Sequence, residues 1–384
     1  MNTTNISISV IIPCLNEASS IACCVTKALA ALKQMNRSGE VLVVDNGSTD
    51  GSAQIATEAG ARVVCQPVRG YGAAYIKGIS EAQGECVVLG DGDDTYNFED
   101  IPLLIKHLDD GADFVIGSRF KGTIMRGAMS WSHRYVGNPI LCGILNFLFR
   151  SSLSDSHSGF RALKKSSVDK LRLHTSGMEF ASEMIVMALR HKLKIVEVPI
   201  TYWPRQGISK LSSFSDAWRH MRFMLLFSPN WIFCIPGLVL FLGGLGAFAL
   251  AGFGLLSISG HVYDVHAMIF FTLFTLIGFE ILTLWLYAKA FSYKEGFERA
   301  DIFCHRPLKW ITLEAGLCIG AILFAAGAFG SVNIFVSWLK TNDVGPFDEI
   351  KRCLASLLSM VIGLQVIFSS FFLSLLRIPR LTSK

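Results

Sequence analysis

The chain has 384 residues, a formal net charge of +5 and a hydrophobic content of 51%. This length allows two or more domains, and so modest a charge gives no reason to expect nucleic acid as a partner. The ten cysteines are scattered without Cys-x-x-Cys spacing, which excludes a zinc site or disulfide framework of the usual pattern. Apolar residues are concentrated after about residue 230, so we expect a soluble part followed by a membrane part.

Strand and helix patterns alternate along the first part of the chain. Predicted strands cover residues 6–13, 41–44, 62–66, 86–89 and 114–117, and predicted helices cover residues 18–33, 52–59, 72–82 and 100–108. Elements that alternate in this way form a mostly parallel sheet with helices on both faces. The pattern therefore predicts a doubly wound α/β fold.

An acidic turn follows the fourth predicted strand. The short apolar run Cys86–Leu89 is typical of a buried parallel strand, and Asp91 and Asp93 come directly after it. Two carboxylates separated by a glycine can share one hard cation, and Mg²⁺ typically combines one or two protein carboxylates with phosphate and water oxygens. A solvated acidic turn is the alternative, but the position after a buried strand favours a metal site.

Polar residues also end the first two predicted strands. Asn16 and Glu17 follow the first strand, Asp45 and Asn46 follow the second, and the carboxyl ends of parallel strands meet in one crevice. Asp45 could accept hydrogen bonds from a ribose or a base. Gly70 opens a predicted helix, where free backbone amides can bind an anion, although an ordinary turn is an equal alternative.

Several motifs together resemble those of family 2 glycosyltransferases with the GT-A fold. The segments that carry the resemblance are 11–17, 43–51, 91–93, 117–119, 155–161 and 205–211. In this order they are most similar to those of polyprenyl-phosphate glycosyltransferases such as dolichyl-phosphate mannose synthases. The resemblance covers about residues 6–230, and it implies a GT-A-type doubly wound, mostly parallel sheet.

The resemblance also implies roles for particular residues. We expect Mg²⁺ or Mn²⁺ at Asp91 and Asp93, and we expect catalysis to depend on Asp93, Arg161 and Arg119. The strand ends and the resemblance together give the expected nucleotide-sugar site, which consists of Pro13, Leu15, Asn16, Glu17, Asp45, Asn46, Gly70, Asp91, Arg205, Ser209 and Lys210. Asn46 stands where the family often has a second aspartate, so the identity of the base is left open.

The implied acceptor, a lipid phosphate, needs no general base. A phosphate monoester has a second pKa of about 6, so it is largely a dianion at pH 7. Arg161 could hold the phosphate oxygens in a bidentate fork, with Arg119 as a second candidate and a structural ion pair with Asp155 as the alternative. We therefore expect in-line attack, inversion at the sugar carbon and no covalent enzyme intermediate.

The sequence predicts three regions. Residues 1–211 form a cytoplasmic catalytic domain, residues 212–230 an interfacial amphipathic helix, and residues 231–384 a transmembrane domain. The four predicted spans are about 231–256, 267–291, 311–339 and 354–376, each longer than the roughly 20 residues that cross the hydrocarbon core. Residues 130–149 are also expected at the headgroup region, with a core helix as the alternative for both amphipathic stretches.

The distribution of charge predicts the orientation. Lys and Arg are concentrated between spans two and three and after span four, whereas the loop between spans one and two has neither. This bias predicts a multi-pass protein of the cell inner membrane or plasma membrane with its catalytic domain in the cytoplasm. Glu280 falls in the middle of a span without an assigned role. Glycines expected to allow close helix packing are Gly243, Gly244, Gly246, Gly320 and Gly327.

The expected function is metal-dependent transfer of a sugar from UDP-glucose or GDP-mannose to a polyprenyl phosphate, which gives a lipid-linked monosaccharide. A processive polysaccharide synthase is one alternative, but the Gln-x-x-Arg-Trp motif usual in that class is absent from the sequence. A non-catalytic nucleotide-binding transporter or flippase is the other, and the retained carboxylates and basic residues argue against it. A homo-oligomer is left open.

Overall fold

The structure, a computed structural model, describes residues 6–207, 213–258, 261–262, 265–294, 312–341 and 347–377. The chain divides into two units, Met1–Phe227 and Ser228–Lys384. The first unit has an α/β fold, and the second is helical apart from a short hairpin. The domain boundaries expected at residues 211 and 230 stay predictions.

The β-rich runs of the first unit form one sheet. Within the described residues its seven strands are β1 (Ile8–Cys14), β2 (Gly39–Asp45), β3 (Arg62–Cys65), β4 (Cys86–Leu89), β5 (Phe114–Ile124), β6 (Arg161–Lys164) and β7 (Ile195–Tyr202). The strand order is β3-β2-β1-β4-β6-β5-β7. Strand β6 runs antiparallel to both of its neighbours, and the other pairs are parallel. The predicted doubly wound, mostly parallel sheet is confirmed.

Helices cover both faces of this sheet. They are α1 (Ile21–Gln34), α2 (Ser52–Glu58), α3 (Tyr71–Glu81), α4 (Ile101–Asp109), α5 (Asn138–Phe149), α6 (Lys165–Leu171), α7 (Phe180–Arg190) and α8 (Ser213–Leu226). Because side chains alternate along a strand, Val10 and Ile12 of β1 pack in a core with α1 and α4. Ile11 faces the opposite way, into a second core with α3 and α7.

The chain reverses its winding direction next to β1. Strands β2 and β3 extend the sheet on one side of β1, and β4 then pairs with its other side. In open α/β sheets, ligands bind at such a switch point, outside the carboxyl ends of the strands. The hydroxyl of Ser20, after β1, donates to the carbonyl of Gly92, after β4, at 2.7 Å. The two strand ends therefore form the rim of one crevice.

Two amphipathic segments of the first unit leave aromatic side chains exposed. Trp131 is 70% exposed and Tyr135 is 59% exposed, both just before α5. Helix α8 buries Phe223 and Met224 in the core and exposes about half of Trp218. One face of α8 therefore packs in the core, as the alternative interpretation of this segment predicted. The location of both segments at a membrane surface stays a prediction.

The second unit contains four long apolar helices within the described ranges. They are α9 (Ile235–Gly252), α10 (Val265–Lys294), α11 (Leu313–Thr341) and α12 (Phe347–Leu376), and the hairpin strands β8 (Ser257–Ile258) and β9 (His261–Val262) lie between α9 and α10. The candidate membrane spans are Asn230–Gly252, Val265–Lys294, Leu313–Lys340 and Glu349–Leu376. Each is long and apolar enough to cross a bilayer, which confirms the four predicted transmembrane helices.

Glycines bring the spanning helices together in two pairs. A Cβ atom at Gly244 of α9 would lie 2.7 Å from the backbone nitrogen of Thr275 in α10. A Cβ atom at Gly320 of α11 would lie 2.7 Å from the carbonyl oxygen of Gly363 in α12. The pairs α9–α10 and α11–α12 thus touch backbone to backbone, as small residues allow in membranes. Gly327 makes a similar approach, whereas Gly243 and Gly246 have no described atom within 4 Å of such a Cβ.

A glycine in the sheet gives a direct test of how closely strands β5 and β7 pack. Gly122 of β5 has no room for a side chain, because a Cβ there would lie 1.9 Å from the carbonyl oxygen of Ile200 in β7. We expect Gly122→Ala to lower the free energy of unfolding by about 1–3 kcal/mol through overpacking. The measurement is the thermal unfolding midpoint of the full chain in detergent.

Gly143 provides the matched control for this substitution. It lies in α5 with no described atom within 4 Å of an added Cβ, so Gly143→Ala should leave the midpoint unchanged or raise it slightly, since alanine favours helix. Equal midpoints for the two variants would contradict the strand packing described above.

Candidate active site

The carboxylate of Asp91 is held by two tyrosines. The hydroxyls of Tyr71 and Tyr75 both donate to Asp91 Oδ1, at 3.0 and 3.1 Å. The tyrosines are four residues apart in the first turns of α3, so they share one face of that helix. On the other side, a Cβ atom at Gly159 would lie 2.6 Å from Asp91 Oδ2. The tyrosines fix the orientation of the carboxylate, and the missing side chain at Gly159 leaves room for it.

Asp93 is close enough to Asp91 to affect the ionisation of Asp91. Burial and the negative charge of Asp93 raise the pKa of Asp91 to about 6, although the tyrosine hydroxyls and the positive charge of Arg205 favour its ionised form. A second carboxylate nearby disfavours ionisation, and a cation between the two would relieve this. The end of β4 is therefore a site that favours bound positive charge.

Arg205 supplies positive charge beside these carboxylates in the structure. Its guanidinium bridges Glu17 Oε1 at 2.6 Å and Asp93 Oδ2 at 3.2 Å. The other oxygen of Asp93 accepts a hydrogen bond of 2.6 Å from the hydroxyl of Thr95. The Arg205 Nε atom is buried and has no hydrogen-bond partner among the described residues. Three residues expected in the site, from three distant parts of the chain, are thus in direct contact.

Asp94 ties the acidic turn to its surroundings. It adopts a left-handed backbone conformation with φ of 59°, and its carboxylate pairs with Lys27 at 2.7 Å. The side chain of Gln206 donates to the same carboxylate at 2.9 Å, and the backbone nitrogen of Gln206 donates to the carbonyl of Asp93 at 3.1 Å. These contacts hold the chain around Arg205 against the acidic turn.

The expected nucleoside residues line the ends of β1 and β2. Ser48 donates its backbone N–H to Asp45 Oδ1 at 3.1 Å, and Thr49 donates its backbone N–H to Asn16 Oδ1 at 2.7 Å. Pro13 and Leu15, at the end of β1, are partly buried. The two turns are therefore linked to each other, next to the carboxylates that follow β4.

Asn46 and Gly70 have structural contacts. The side-chain amide of Asn46 donates to the carbonyls of Gln66 and Val68, both at 2.8 Å. Its oxygen accepts from the backbone N–H of Gly70, also at 2.8 Å. The polar atoms expected to meet a base or an anion are thus engaged in holding the end of β2 against the start of α3. Their expected contacts with a ligand stay predictions.

The segment 155–161 is here called the acceptor loop, and the side chain of its last residue, Arg161, is buried. It is 2% exposed, and its guanidinium donates to the carbonyls of Ser158 at 2.7 Å, Ala181 at 2.9 Å and Ser156 at 3.0 Å. Hydrogen bonds from a charged group contribute about 1.5–3 kcal/mol each, so this residue is a main support of the loop. Three of its five N–H groups are therefore not directed at a ligand, and its contact with an acceptor phosphate stays a prediction.

Arg119 supports the same loop from a second side. Its Nε and Nη2 atoms contact the two oxygens of the buried Asp155 at 2.7 and 2.8 Å, and its backbone nitrogen donates to Asp155 at 3.0 Å. The structural ion pair considered for Arg161 is thus made by Arg119. Because Gly159 of the loop lies against Asp91, the two arginines hold a segment that borders the carboxylate site.

Two histidines meet behind the acceptor loop. The rings of His157 and His220 pack edge to face with centroids 4.6 Å apart, and the hydroxyl of Ser182 lies 2.9 Å from His220 Nδ1. Burial and the charge of Arg161 lower the pKa of His220 to about 4. Burial, His220 and the nearby arginines hold the pKa of His157 well below its usual range. Both rings are therefore neutral at pH 7 and connect the loop to α8.

The donor set fits a cation that brings ligands of its own. No group of three or more His, Cys, Asp or Glu side chains suited to a metal occurs in the described part of the chain. Asp91 and Asp93 provide two carboxylates, which suits Mg²⁺ or Mn²⁺ when phosphate and water supply the remaining oxygens. Ser209 and Lys210, expected to bind phosphate, lie outside the described residues.

Sequence reasoning missed several members of this site. Tyr75 lies in the predicted helix 72–82 and Tyr71 lies just before it, and the sequence analysis assigns neither a role, although their spacing of four residues places both on the face that meets Asp91. Gln206 and the pairing of Lys27 with Asp94 were also missed. These contacts join residues that are far apart in the sequence, and no local pattern predicts them.

The chain is similar to known glycosyltransferases. The model of the glycosyl transferase family 2 matches residues 9–172, and that of the glycosyltransferase family 2 C-terminal transmembrane region matches residues 286–377. The low-salt glycan biosynthesis hexosyltransferase Agl6 of Haloferax volcanii is 38% identical over 96% of this chain and 88% of its own. The dolichyl-phosphate hexose transferase of the same organism is 32% identical over 46% of this chain and 75% of its own.

Among solved structures, glucosyl-3-phosphoglycerate synthase from Mycobacterium tuberculosis, in complex with Mn²⁺ and uridine-diphosphate-glucose, is similar at 23% identity. The match covers 57% of this chain and 78% of that one, with a TM-score of 0.47.

The sheet, the carboxylates after β4 and the four spanning helices define a membrane glycosyltransferase with the GT-A fold. The chain belongs to glycosyltransferase family 2, as its similarity to Agl6 over nearly the whole length shows. The resemblance found in the sequence is confirmed.

The histidine pair predicts a dependence of stability on pH. An unfolded histidine binds a proton at about pH 6.5, whereas folded His220 does so only at about pH 4. Between these values the unfolded state binds more protons, so the free energy of unfolding falls as the pH is lowered, by up to about 3 kcal/mol. We expect His220→Gln to remove this part of the pH dependence.

The measurement is the thermal unfolding midpoint of the full chain between about pH 7 and about pH 4.5. The wild-type midpoint should fall more steeply than that of His220→Gln. The control is His107→Gln, in α4 and outside this cluster, which should follow the wild type. Parallel curves for the wild type and His220→Gln would contradict the burial of a neutral ring.

Proposed function

We propose that this protein transfers a sugar from a nucleotide-sugar to the phosphate of a polyprenyl phosphate and so makes a lipid-linked monosaccharide. The observation that carries the proposal is the contact of Arg205 with Glu17 and Asp93 beside Asp91, at the carboxyl ends of β1 and β4. Such a site suits a diphosphate with its cation. The spanning helices and the similarity to a dolichyl-phosphate hexose transferase support a lipid acceptor.

The donor is proposed to be UDP-glucose or GDP-mannose. Asp45 and Glu17 are carboxylates at adjacent strand ends, where ribose hydroxyls could donate hydrogen bonds to them. Asn46 is 4% exposed and engaged with the backbone, so it does not distinguish the two bases. Both donors therefore remain candidates.

Asp91 and Asp93 are the residues proposed to hold Mg²⁺ or Mn²⁺. When bound, the cation would offset the negative charge that builds on the departing diphosphate. Arg205 has the position to do the same from the other side, because it can exchange the carboxylate of Asp93 for phosphate oxygens. Ser209 and Lys210, for which the resemblance implies phosphate binding, stay part of the proposal.

The acceptor phosphate is proposed to approach past the acceptor loop. It is already an anion at pH 7, so no residue needs to remove a proton from it. Arg161 and Arg119 support this loop from behind and put two positive charges next to the site. We propose that they position the loop and attract the phosphate, and that attack is in line with inversion at the sugar carbon.

The cytoplasmic face of the cell membrane is the proposed location of the reaction. Lys294 is the last residue of span two, Arg299, Arg306 and Lys309 lie between spans two and three, and Arg377 follows span four. Positive residues of this kind stay on the cytoplasmic side. With four spans, this orientation puts the catalytic domain and the C-terminus on that side too.

A transfer assay tests the proposed function. Purified protein is incubated with UDP-glucose or GDP-mannose carrying a labelled sugar, with polyprenyl phosphate and Mn²⁺. We expect one labelled sugar on the lipid. A long polymer would indicate a polysaccharide synthase, and no transfer from any donor would indicate a non-catalytic protein. We expect Asp93→Asn to reduce the rate by at least about 100-fold.

Asp109 gives the matched control for this variant, because it is an exposed aspartate paired with Arg37 away from the site. Asp109→Asn should transfer sugar at the wild-type rate. A wild-type rate in Asp93→Asn would end the proposed role of that carboxylate.

The tyrosines that hold Asp91 predict a change in metal dependence. Tyr75→Phe removes one of the two hydroxyls that orient the carboxylate, and loss of a partner behind a metal ligand typically weakens metal affinity about 10- to 100-fold. We expect the Mn²⁺ concentration for half-maximal rate to rise by about tenfold, and further in the Tyr71→Phe/Tyr75→Phe double variant. Tyr135→Phe, an exposed tyrosine, is the control. An unchanged Mn²⁺ requirement in the double variant would contradict the orienting role.

A further inference from the structure

The two tight helix pairs of the second unit meet along a seam that is not closely packed. Gln365 of α12 donates from Nε2 to Glu280 Oε2 of α10 at 3.1 Å. The rings of Tyr287 and Phe372 pack edge to face with centroids 4.7 Å apart. Tyr287 lies seven positions after Glu280 in α10, and Phe372 lies seven positions after Gln365 in α12. The two helices therefore run in the same direction and contact each other at intervals of two turns. Between the contacts lies a cleft of about 500 Å³.

The floor of this cleft is polar in the middle of a membrane span. Glu280 lies near the centre of the 30-residue α10, where an ionisable side chain is costly and usually functional. Gln365 offers it one hydrogen bond, but the Oε1 atom of Gln365 is buried and has no partner among the described residues. This oxygen is an acceptor without a donor among the described residues, and a buried acceptor without a donor is costly.

The walls of the cleft are apolar and open outward. Val361, Leu364 and Phe372 line it, and Phe368 at its edge is 68% exposed. In a bilayer this opening faces hydrocarbon, so the occupant comes from the membrane. The volume of the cleft falls in the range of about 300–1,000 Å³ that is usual for small-molecule sites. The carboxyl group of Glu280 disfavours an anionic phosphate at the same depth, whereas the hydroxyl groups of a lipid can donate to the unpaired oxygen of Gln365.

We propose that this cleft binds the sugar head of a lipid-linked sugar, with sugar hydroxyls donating to Gln365 and Glu280. The inference rests on the proposed function, because the product of that reaction carries such hydroxyls on an isoprenoid chain. Tyr287, about 10 Å along the helix from Glu280, also lines the cleft and can offer its hydroxyl to the phosphate of the same molecule. The membrane unit is then a product-binding site and not only an anchor.

Photolabelling of the full chain tests this inference. The protein is placed in phosphatidylcholine nanodiscs, whose lipid carries no hydroxyl donor. The probe is an alkyl β-glucoside with a diazirine in its chain, and the comparison probe is an alkyl phosphate with the same chain. We expect saturable labelling of α10 and α12 by the glucoside, and labelling by the phosphate that is weaker by about tenfold or more. Equal labelling by both probes would overturn the proposal.

Two variants separate ligand binding from helix packing. Gln365→Leu removes the acceptor, and Leu364→Trp fills the cleft without touching the polar pair, so both should lower labelling by the glucoside about tenfold. Ile322→Trp, on the exposed face of α11, is the matched control and should label normally. If Gln365→Leu only lowers the unfolding midpoint and Leu364→Trp labels like the wild type, the pair is structural and the proposal fails.

The transfer assay on the same nanodiscs distinguishes the two proposals. Sugar transfer without labelling of the cleft would leave the proposed function in place and remove this inference. Labelling without transfer from any donor would support the cleft as a glycolipid site and contradict the proposed function.

Discussion

The repulsion between Asp91 and Asp93 is the constraint around which the catalytic unit is built. Both carboxylates follow a strand with buried neighbours on each side, and burial together with their mutual charge raises the pKa of Asp91 to about 6. Arg205 pairs with Asp93, and two tyrosines donate to Asp91. Two neighbouring carboxylates, one of them buried, are stabilised by positive charge beside them. The same demand makes the site suited to a cation and the diphosphate that accompanies it.

Two buried arginines stabilise the acceptor loop, which borders the carboxylate site. Arg161 holds three backbone carbonyls, and Arg119 holds both oxygens of Asp155. Loss of one partner from a buried pair costs about 3–5 kcal/mol, so the loop has few other conformations open to it. Its Gly159 lies against Asp91. The position of the loop and the geometry of the carboxylate are therefore set together.

The sequence predicted the parts of this protein that depend on local pattern. Alternating strands and helices, the carboxylates after β4 and the four apolar spans are properties of short segments, and all three are found. The antiparallel strand β6 was not predicted, because it begins at Arg161, which the motif marks as functional. Tyr75 and Gln206 were missed because their partners lie 16 and 112 positions away. Arg161 was expected to meet a ligand, and its burial depends on α7, which pattern alone does not bring near.

The most direct test of the central account is the binding of Mn²⁺ to the full chain, followed by electron paramagnetic resonance at about pH 7.5, where Asp91 is ionised. The account predicts one bound ion per chain, tighter binding when UDP or GDP is added, and loss of binding in Asp91→Asn and Asp93→Asn. Equal Mn²⁺ binding in the wild type and in a variant lacking both carboxylates would contradict it.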